Sequence, residues 1–297
     1  MNMTSEQYCK AKTRASGSSF AYAFGFLSED KSRAMMALYA FCREVDDIAD
    51  DITDKQEANR QIQAWRNEIT HVFDSKPSHP IGHELNWARQ HFAWDKELFD
   101  EMLDGMHTDI EEQPFVKNSD LTLYCYRVAG VVGLLSIEVF GYQHRQSRAF
   151  ATTLAEALQI TNILRDLQED AQRSRIYLPQ CERARFHVHD QDIIDGHLSD
   201  NLKALIQYYA NKAEGLYQQA LKELPQEDRV TLRPAIMMAA VYHTYLQQLI
   251  EHGYDVWKRP LHISSWKKVR MAWHVWRYEK KYQASQDSAK FPLRLNF

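Results

Sequence analysis

Apolar residues in this chain recur every three or four positions rather than every second one, the spacing of amphipathic helices and not of half-buried strands. From 30 to 52, Met35, Leu38, Tyr39, Phe41, Cys42, Val45 and Ile48 mark one such helix, which runs into the acidic stretch Asp46-Asp47-Ile48-Ala49-Asp50-Asp51. The same period predicts helices near 55–74, 82–93, 95–112, 119–142 and 146–171, the last ending in a second acidic stretch, Asp166-Leu167-Gln168-Glu169-Asp170. Pro114 and the region of Gly141 fall where helices should break. Residues 172–198 are polar, contain Pro179 and sustain no period, so a loop or flap is predicted there. Two more long helices are expected over about 200–223 and 229–252, followed by a basic, aromatic segment from Trp257 to Lys281. With no internal repeat or low-complexity linker, the expected fold is all-α, a single domain over residues 1–297.

Composition agrees. The chain of 297 residues has 10 Gly and 8 Pro, and its 44% hydrophobic share is ample for a substantial core. Cys9, Cys42, Cys125 and Cys181 show neither CxxC spacing nor a compact framework, which argues against disulfides and zinc and for a reducing cytoplasm. A formal net charge of −4 gives no reason to expect a nucleic-acid partner. The N-terminus lacks a basic-then-apolar leader, and no run of about 18 uncharged apolar residues occurs, so neither secretion nor a membrane span is expected.

The two acidic stretches carry the candidate chemistry. Residues i and i+4 share a helix face, so Asp46 with Asp50, and Asp166 with Asp170, each form a pair of oxygen ligands. Two carboxylates about 6 Å apart repel by about 3 kcal/mol at an effective dielectric of ~20, and by less than ~1 kcal/mol in bulk water. Inside a cavity such pairs therefore call for a cation. Mg²⁺, with Mn²⁺ as the alternative, takes one or two carboxylates, keeps waters and completes its octahedron with phosphate oxygens. Two pairs facing one another in a helical bundle would clamp a diphosphate from both sides. Asn162, one turn before Asp166, can add an amide oxygen, whereas Asp47 and Glu169 lie off the paired faces. Arg43, Arg165 and Arg175 are suited to diphosphate oxygens, since guanidinium groups stay charged and donate planar hydrogen bonds. Solvated helix ends and local salt bridges are the alternative reading of these charges.

Four ordered motifs resemble the squalene/phytoene synthase family, whose enzymes join two prenyl diphosphates head to head. They are Ser16-Gly17-Ser18-Ser19-Phe20; Leu38 through Asp50 with the first aspartate motif intact; Tyr124-Cys125-Tyr126-Arg127-Val128-Ala129-Gly130-Val131-Val132-Gly133; and Asn162-Ile163-Leu164-Arg165-Asp166 through Asp170, continuing to Arg173, Arg175, Ile176, Tyr177, Leu178 and Pro179. Gly253-Tyr254-Asp255-Val256 is a weaker echo. Within the family, the Ser-Gly-Ser-Ser-Phe and Cys-Arg-Glu-Val-Asp-Asp stretches are most similar to bacterial presqualene diphosphate synthases of the squalene and hopanoid pathway.

The resemblance implies an isoprenoid-synthase helical bundle with a central cavity, farnesyl diphosphate as substrate and Mg²⁺ as the ion at Asp46, Asp50, Asn162, Asp166 and Asp170. It implies substrate contacts from Ser19, Phe20, Arg43, Tyr124, Val128, Ala129, Asn162, Arg165 and Arg175, and catalytic roles for Tyr124, Arg165, Tyr177 and Tyr242, with Arg165 on the diphosphate and the tyrosines contacting diphosphate or guiding the carbocation and its departing proton. Phe20, Tyr22, Phe24 and Phe26 can line an apolar wall, and the small residues from Val128 to Gly133 either open room for prenyl chains or let helices pack closely. No glycine-rich dinucleotide fingerprint is present, so NADPH is not expected and reduction would fall to downstream hydroxysqualene- or squalene-forming enzymes. The tryptophans and basic residues between Trp257 and Lys281 suit peripheral contact with an anionic inner-membrane surface. A complete NADPH-dependent squalene synthase, a phytoene or dehydrosqualene synthase, a terpene cyclase and an inactive scaffold of the same fold are the competing expectations.

Overall fold

A computed structural model of the protein describes residues 3–15 and 24–282, and among them every regular element is helical. The helices are α1 (Ser5–Ala15), α2 (Glu29–Asp51), α3 (Lys55–Phe73), α4 (Pro80–Arg89), α5 (Lys96–Ile110), α6 (Asn118–Cys125), α7 (Val131–Phe140) and α8 (Ser147–Arg165). They continue with α9 (Leu167–Gln172), α10 (Gln180–Arg185), α11 (Asp190–Ile194), α12 (Asp200–Glu223), α13 (Arg233–Glu251) and α14 (Ser265–Tyr282). Buried apolar side chains from α1 through α14 form one contiguous cluster. The pairing of α8 with α12 is its most extensive helix contact.

Local chemistry sets the helix boundaries. Asp54 starts α3 by accepting from the Gln56 amide at 2.9 Å, and Ser199 starts α12 by accepting from the Leu202 amide at 3.2 Å. Pro80 opens α4, where a missing amide hydrogen costs nothing. Gly141, at φ 83°, ends α7 in a conformation that a side chain would strain. On α2, Ala34, Leu38, Phe41, Val45 and Ile48 turn to the core, leaving the acidic residues of its last turns on another face.

Three departures from the sequence expectation bear on function. The helix expected over 119–142 is interrupted by one π-turn, Tyr126–Gly130, where the Val131 amide reaches back to the Tyr126 carbonyl. The helix expected over 146–171 breaks at Asp166, whose φ −100° and ψ 10° lie outside helical geometry. The predicted flap over 172–198 contains two short helices, α10 and α11. No run of about 18 uncharged apolar residues occurs, yet one segment interrupted by Arg127 and Glu138 is long and apolar enough to cross a membrane. Asn118–Phe140 passes by length and composition, yet half of its apolar window is buried in the protein, and its Arg127 pairs with Glu101 at 2.9 Å.

Asp228 ties the turn before α13 to the turn before α8. Its carboxylate accepts from the Gln143 amide at 2.8 Å, the His144 amide at 3.0 Å and the Ser147 hydroxyl at 2.6 Å. Burial alone would raise its pKa, but these donors outweigh it and hold the group below the ordinary carboxylate range. Asp228→Ala would leave buried donors unmatched and is expected to cost about 3 kcal/mol in urea unfolding. Because the folded pKa is depressed, the charge-dependent stabilisation is complete above the unfolded value near 4 and is lost as pH falls through the folded one. The acid-side fall in thermal midpoint should be shallower in Asp228→Asn than in wild type.

Candidate active site

A cavity of about 350 Å³ runs between α2, the π-turn with α7, α8 and α13. Its lining changes character along two helices running the same way. On α2 the wall passes from Met35, Leu38 and Tyr39 through Cys42 to Arg43 and Asp46. On α8 it passes from Ala151 and Leu154 through Leu158 to Gln159, Asn162 and Arg165. From Ala151 to Asn162 the wall extends about 16 Å at 1.5 Å per residue. The cavity is thus an apolar channel with a charged end. Phe24, Ile137, Phe140, Pro234 and Met238 line it as well, and Tyr242 stands with Arg165 at the polar end.

The π-turn brings Val128 and Ala129 to the cavity, followed by Val132 and Gly133 on α7. The small residues here serve both expected purposes. Val128 and Ala129 leave space, whereas a Cβ on Gly133 would lie 3.0 Å from the Ala151 carbonyl oxygen, so that glycine is also required for close helix approach.

At the polar end the fold brings both acidic stretches together. Asp46 lies within electrostatic reach of Asp50, and Asp170 within reach of Asp166, Asp109 and Asp50. Burial first, and then these like charges, push Asp46 up to about 7 and Asp170 up to about 8. Neither makes an ion pair with a described residue. Asp50 has the opposite fate. Burial would raise it, but Arg175 Nη1 at 2.5 Å and Arg173 Nη1 at 2.7 Å hold its pKa below the ordinary value. Arg165 forms a two-pronged pair with Asp166, at 2.7 and 2.5 Å, and its guanidinium lies 5.1 Å from the Tyr245 ring and 5.8 Å from the Tyr242 ring.

Other expected residues take different places. Arg43 lines the cavity and pairs with Asp47 at 2.6 Å, while Lys12 pairs with Glu44 and lies 3.3 Å from Asp47. Asp47 is thus occupied away from the paired face, and Glu169 is exposed. Tyr124 and Tyr177 stand apart from the cavity wall, stacked with ring centres 4.9 Å apart. Both hydroxyls donate to Asp109, one to each oxygen at 2.9 Å. Ser19, Phe20 and Tyr22 lie outside the described residues, and Phe26 is partly exposed, tilted against Trp276 rather than on the cavity wall.

Sequence reasoning missed Asp109, Tyr245, Gln159 and Cys42. Asp109 had a readable signal: it continues the buried stripe Met102, Met106, Ile110 of α5, so a carboxylate stands at a core position. Burial, opposed chiefly by Arg175 and the two tyrosines, leaves it up at about 6.

Among the described residues no three acidic, histidine or cysteine side chains converge on one point. That does not suit a closed structural zinc site. The oxygen donors present, Asp46 with Asp50, Asp166 with Asp170 and the Asn162 amide, are of the kind a hard cation such as Mg²⁺ takes, one or two carboxylates with water and phosphate oxygens completing its shell. The electrostatic crowding of Asp46, Asp50 and Asp170 supplies the negative potential such an ion needs.

Residues 13–267 match the family model described as squalene/phytoene synthase. The presqualene diphosphate synthase of Zymomonas mobilis is 34% identical over 267 residues, covering 89% of both chains. The 15-cis-phytoene synthase of Synechococcus elongatus is 30% identical over 279 residues, covering 89% of this chain and 91% of its own. A crystal structure of a dehydrosqualene synthase in complex with ligand superposes with a TM-score of 0.83 at 29% identity, covering 94% of this chain and 97% of that one. Ala129→Phe, which would fill the channel from its wall, is expected to weaken uptake of a fluorescent apolar dye while leaving the thermal midpoint within about 3 °C. Unchanged dye binding would show that the channel is not the apolar site.

Proposed function

The chain belongs to the squalene/phytoene synthase family, and we propose that it condenses two farnesyl diphosphates head to head into presqualene diphosphate, releasing one diphosphate, for squalene and hopanoid synthesis. The observation that carries this reading is an apolar channel ending in Asp46, Asn162 and Arg165, with the second acidic pair beside it. Members of the family are prenyltransferases, and the similarity to the Zymomonas enzyme favours the presqualene product.

In this reading Asp46 and Asp50 hold metal from α2, while Asp166, Asp170 and Asn162 hold it from the α8–α9 junction. An ion such as Mg²⁺ held by these residues would supply Lewis-acid charge toward a departing diphosphate. Arg165 and Arg175 donate charge-assisted hydrogen bonds to the same oxygens, with Arg43 at the channel mouth. The wall from Met35 to Phe140 excludes water from the allylic cation. The Tyr242 ring offers that cation a π face. The charged end thus ionises the substrate, and the apolar end protects what is formed.

The same channel suits a second reading, dehydrosqualene or phytoene synthesis, favoured by the dehydrosqualene synthase superposition. An inactive scaffold is disfavoured by the intact carboxylates and arginines. A peripheral role at the cytoplasmic face of the membrane, handing product to downstream enzymes, draws on α14. That helix exposes Trp266, Val269 and Trp273 on one face, with Arg277 5.2 Å from the Trp273 ring. Co-flotation with phosphatidylglycerol vesicles, weakened in Trp266→Ala, is expected, and no flotation would remove that role.

Incubation with farnesyl diphosphate and Mg²⁺, with and without NADPH, should give presqualene diphosphate in both samples. Squalene appearing with NADPH would make it a complete squalene synthase, and dehydrosqualene would favour the second reading. Product from geranylgeranyl diphosphate alone would make it a phytoene synthase. Asp46→Asn and Asp170→Asn should each lower kcat by roughly a hundredfold or more, as loss of one transition-state charge partner commonly does. Chelation of divalent metal should abolish turnover, and full activity in either variant would refute the metal assignment.

A further inference from the structure

We infer that Asp109 is a positioning residue, which through Tyr177 anchors the segment 173–179 and so sets Arg175 between the two acidic helices. The inference rests on the functional reading above only for its kinetic arm.

The segment leaves α9 through Ser174, at φ 60°, and enters α10 with the Gln180 amide bonded to the Phe115 carbonyl at 2.8 Å. Between these ends its side chains reach across to other elements. Arg173 and Arg175 meet Asp50, Arg175 Nη2 also donates to the Ala49 carbonyl at 2.6 Å, and the Tyr177 hydroxyl meets Asp109. Asp109 is itself fixed, since its second oxygen takes the Tyr124 hydroxyl from α6 and all three groups are buried. Phe115 closes the arrangement with ring contacts at 5.3 Å to Tyr124 and 5.4 Å to Tyr177. Tyr177 is two residues from Arg175, so anchoring one restricts the reach of the other.

A neutral acceptor could serve if these tyrosines needed nothing but hydrogen bonds. A carboxylate placed near Asp50 and Asp170 adds like charge to a crowded site, and the nearby Arg175 charge does most to offset its burial. Charge at position 109 therefore has a partner in Arg175 as well as in the tyrosines. A second, more polar cavity of about 180 Å³, lined by Asp109, Arg175, Tyr177 and Glu112, lies on this side. It gives the segment room to move once the anchor is cut. The anchor and the metal carboxylates are thus separate groups joined by one arginine.

The test uses Asp109→Asn in the full chain, with Tyr177→Phe as a milder second variant should the first fail to fold. Amide hydrogen exchange in 173–179 should speed up roughly tenfold or more, the equivalent of about 1.4 kcal/mol, while α12 and α13 keep wild-type protection. Turnover of farnesyl diphosphate should fall by a similar factor, mainly in kcat. If Asp109 acts through Arg175, the double variant Asp109→Asn/Arg175→Gln should be no slower than Arg175→Gln alone. Unchanged exchange in 173–179, or losses that multiply in the double variant, would overturn the inference. Absence of turnover in the wild type would instead defeat the functional reading, and the exchange experiment would still decide the anchor.

Discussion

The structure is organised around a surplus of negative charge held away from bulk water. At the polar end of the channel, Asp46, Asp50, Asp109, Asp166 and Asp170 face Arg165, Arg173 and Arg175. Arg43 adds a fourth guanidinium at this end but is paired with Asp47, so Asp46 and Asp170 are left without an ion pair to a described residue. Asp46 and Asp170 are correspondingly the two metal-pair carboxylates pushed up to about 7 and about 8. The first pair also stands in the last two turns of α2, where the helix dipole is negative and the last turn holds no basic residue of its own, so the Arg175 guanidinium on the Ala49 carbonyl comes from outside the helix. Such a site is poor for stability in isolation and well matched to cations that arrive with a diphosphate.

The rest of the fold makes that surplus possible. Carboxylates repel strongly only where water is excluded, and here the exclusion comes from the apolar wall that α2 and α8 present over their earlier turns. One helix thus supplies both the greasy wall and the acidic end, because its cavity-facing positions change chemistry from Met35 to Asp46. The break at Asp166 has a related effect. It ends α8 while the Asp170 amide still bonds to the Asp166 carbonyl at 2.9 Å, so the two carboxylates remain together as the chain turns away.

Much of this was legible in the sequence because helical period and carboxylate spacing are local. The long helices and both aspartate pairs follow from residues three or four apart, and Arg43, Asp46, Asn162, Arg165 and Tyr242 all line the channel's polar end. What was not legible depends on relations between distant segments. The π-turn at Tyr126–Gly130 contains no proline or polar break and, with the one charge Arg127 turned to Glu101, leaves no periodic trace. Tyr124 and Tyr177, expected beside the substrate, stand apart from the channel wall because both hydroxyls are held by Asp109 on a third helix. Its sequence signal was a lone carboxylate within an apolar stripe. The pairing of Arg175 with Asp50, 125 residues apart, is likewise beyond any local pattern.

The two halves of the acidic site are also unequal in how they are tethered. Arg165 and Asp166 are sequence neighbours, so their two-pronged pair can re-form after any disturbance without moving the backbone. Arg175 and Asp50 meet only if 173–179 is folded against α2. In the proposed reaction a diphosphate at the channel end would compete with Asp50 for Arg173 and Arg175, and with Asp166 for Arg165, since phosphate oxygens accept the same planar hydrogen bonds. Releasing Asp50 from its arginines would free it for the proposed metal while removing side-chain ties that hold the segment. The Asp109–Tyr177 bond is then the tie that does not take part in the exchange. Its position behind the metal carboxylates lets the arginines change partners without the segment coming loose.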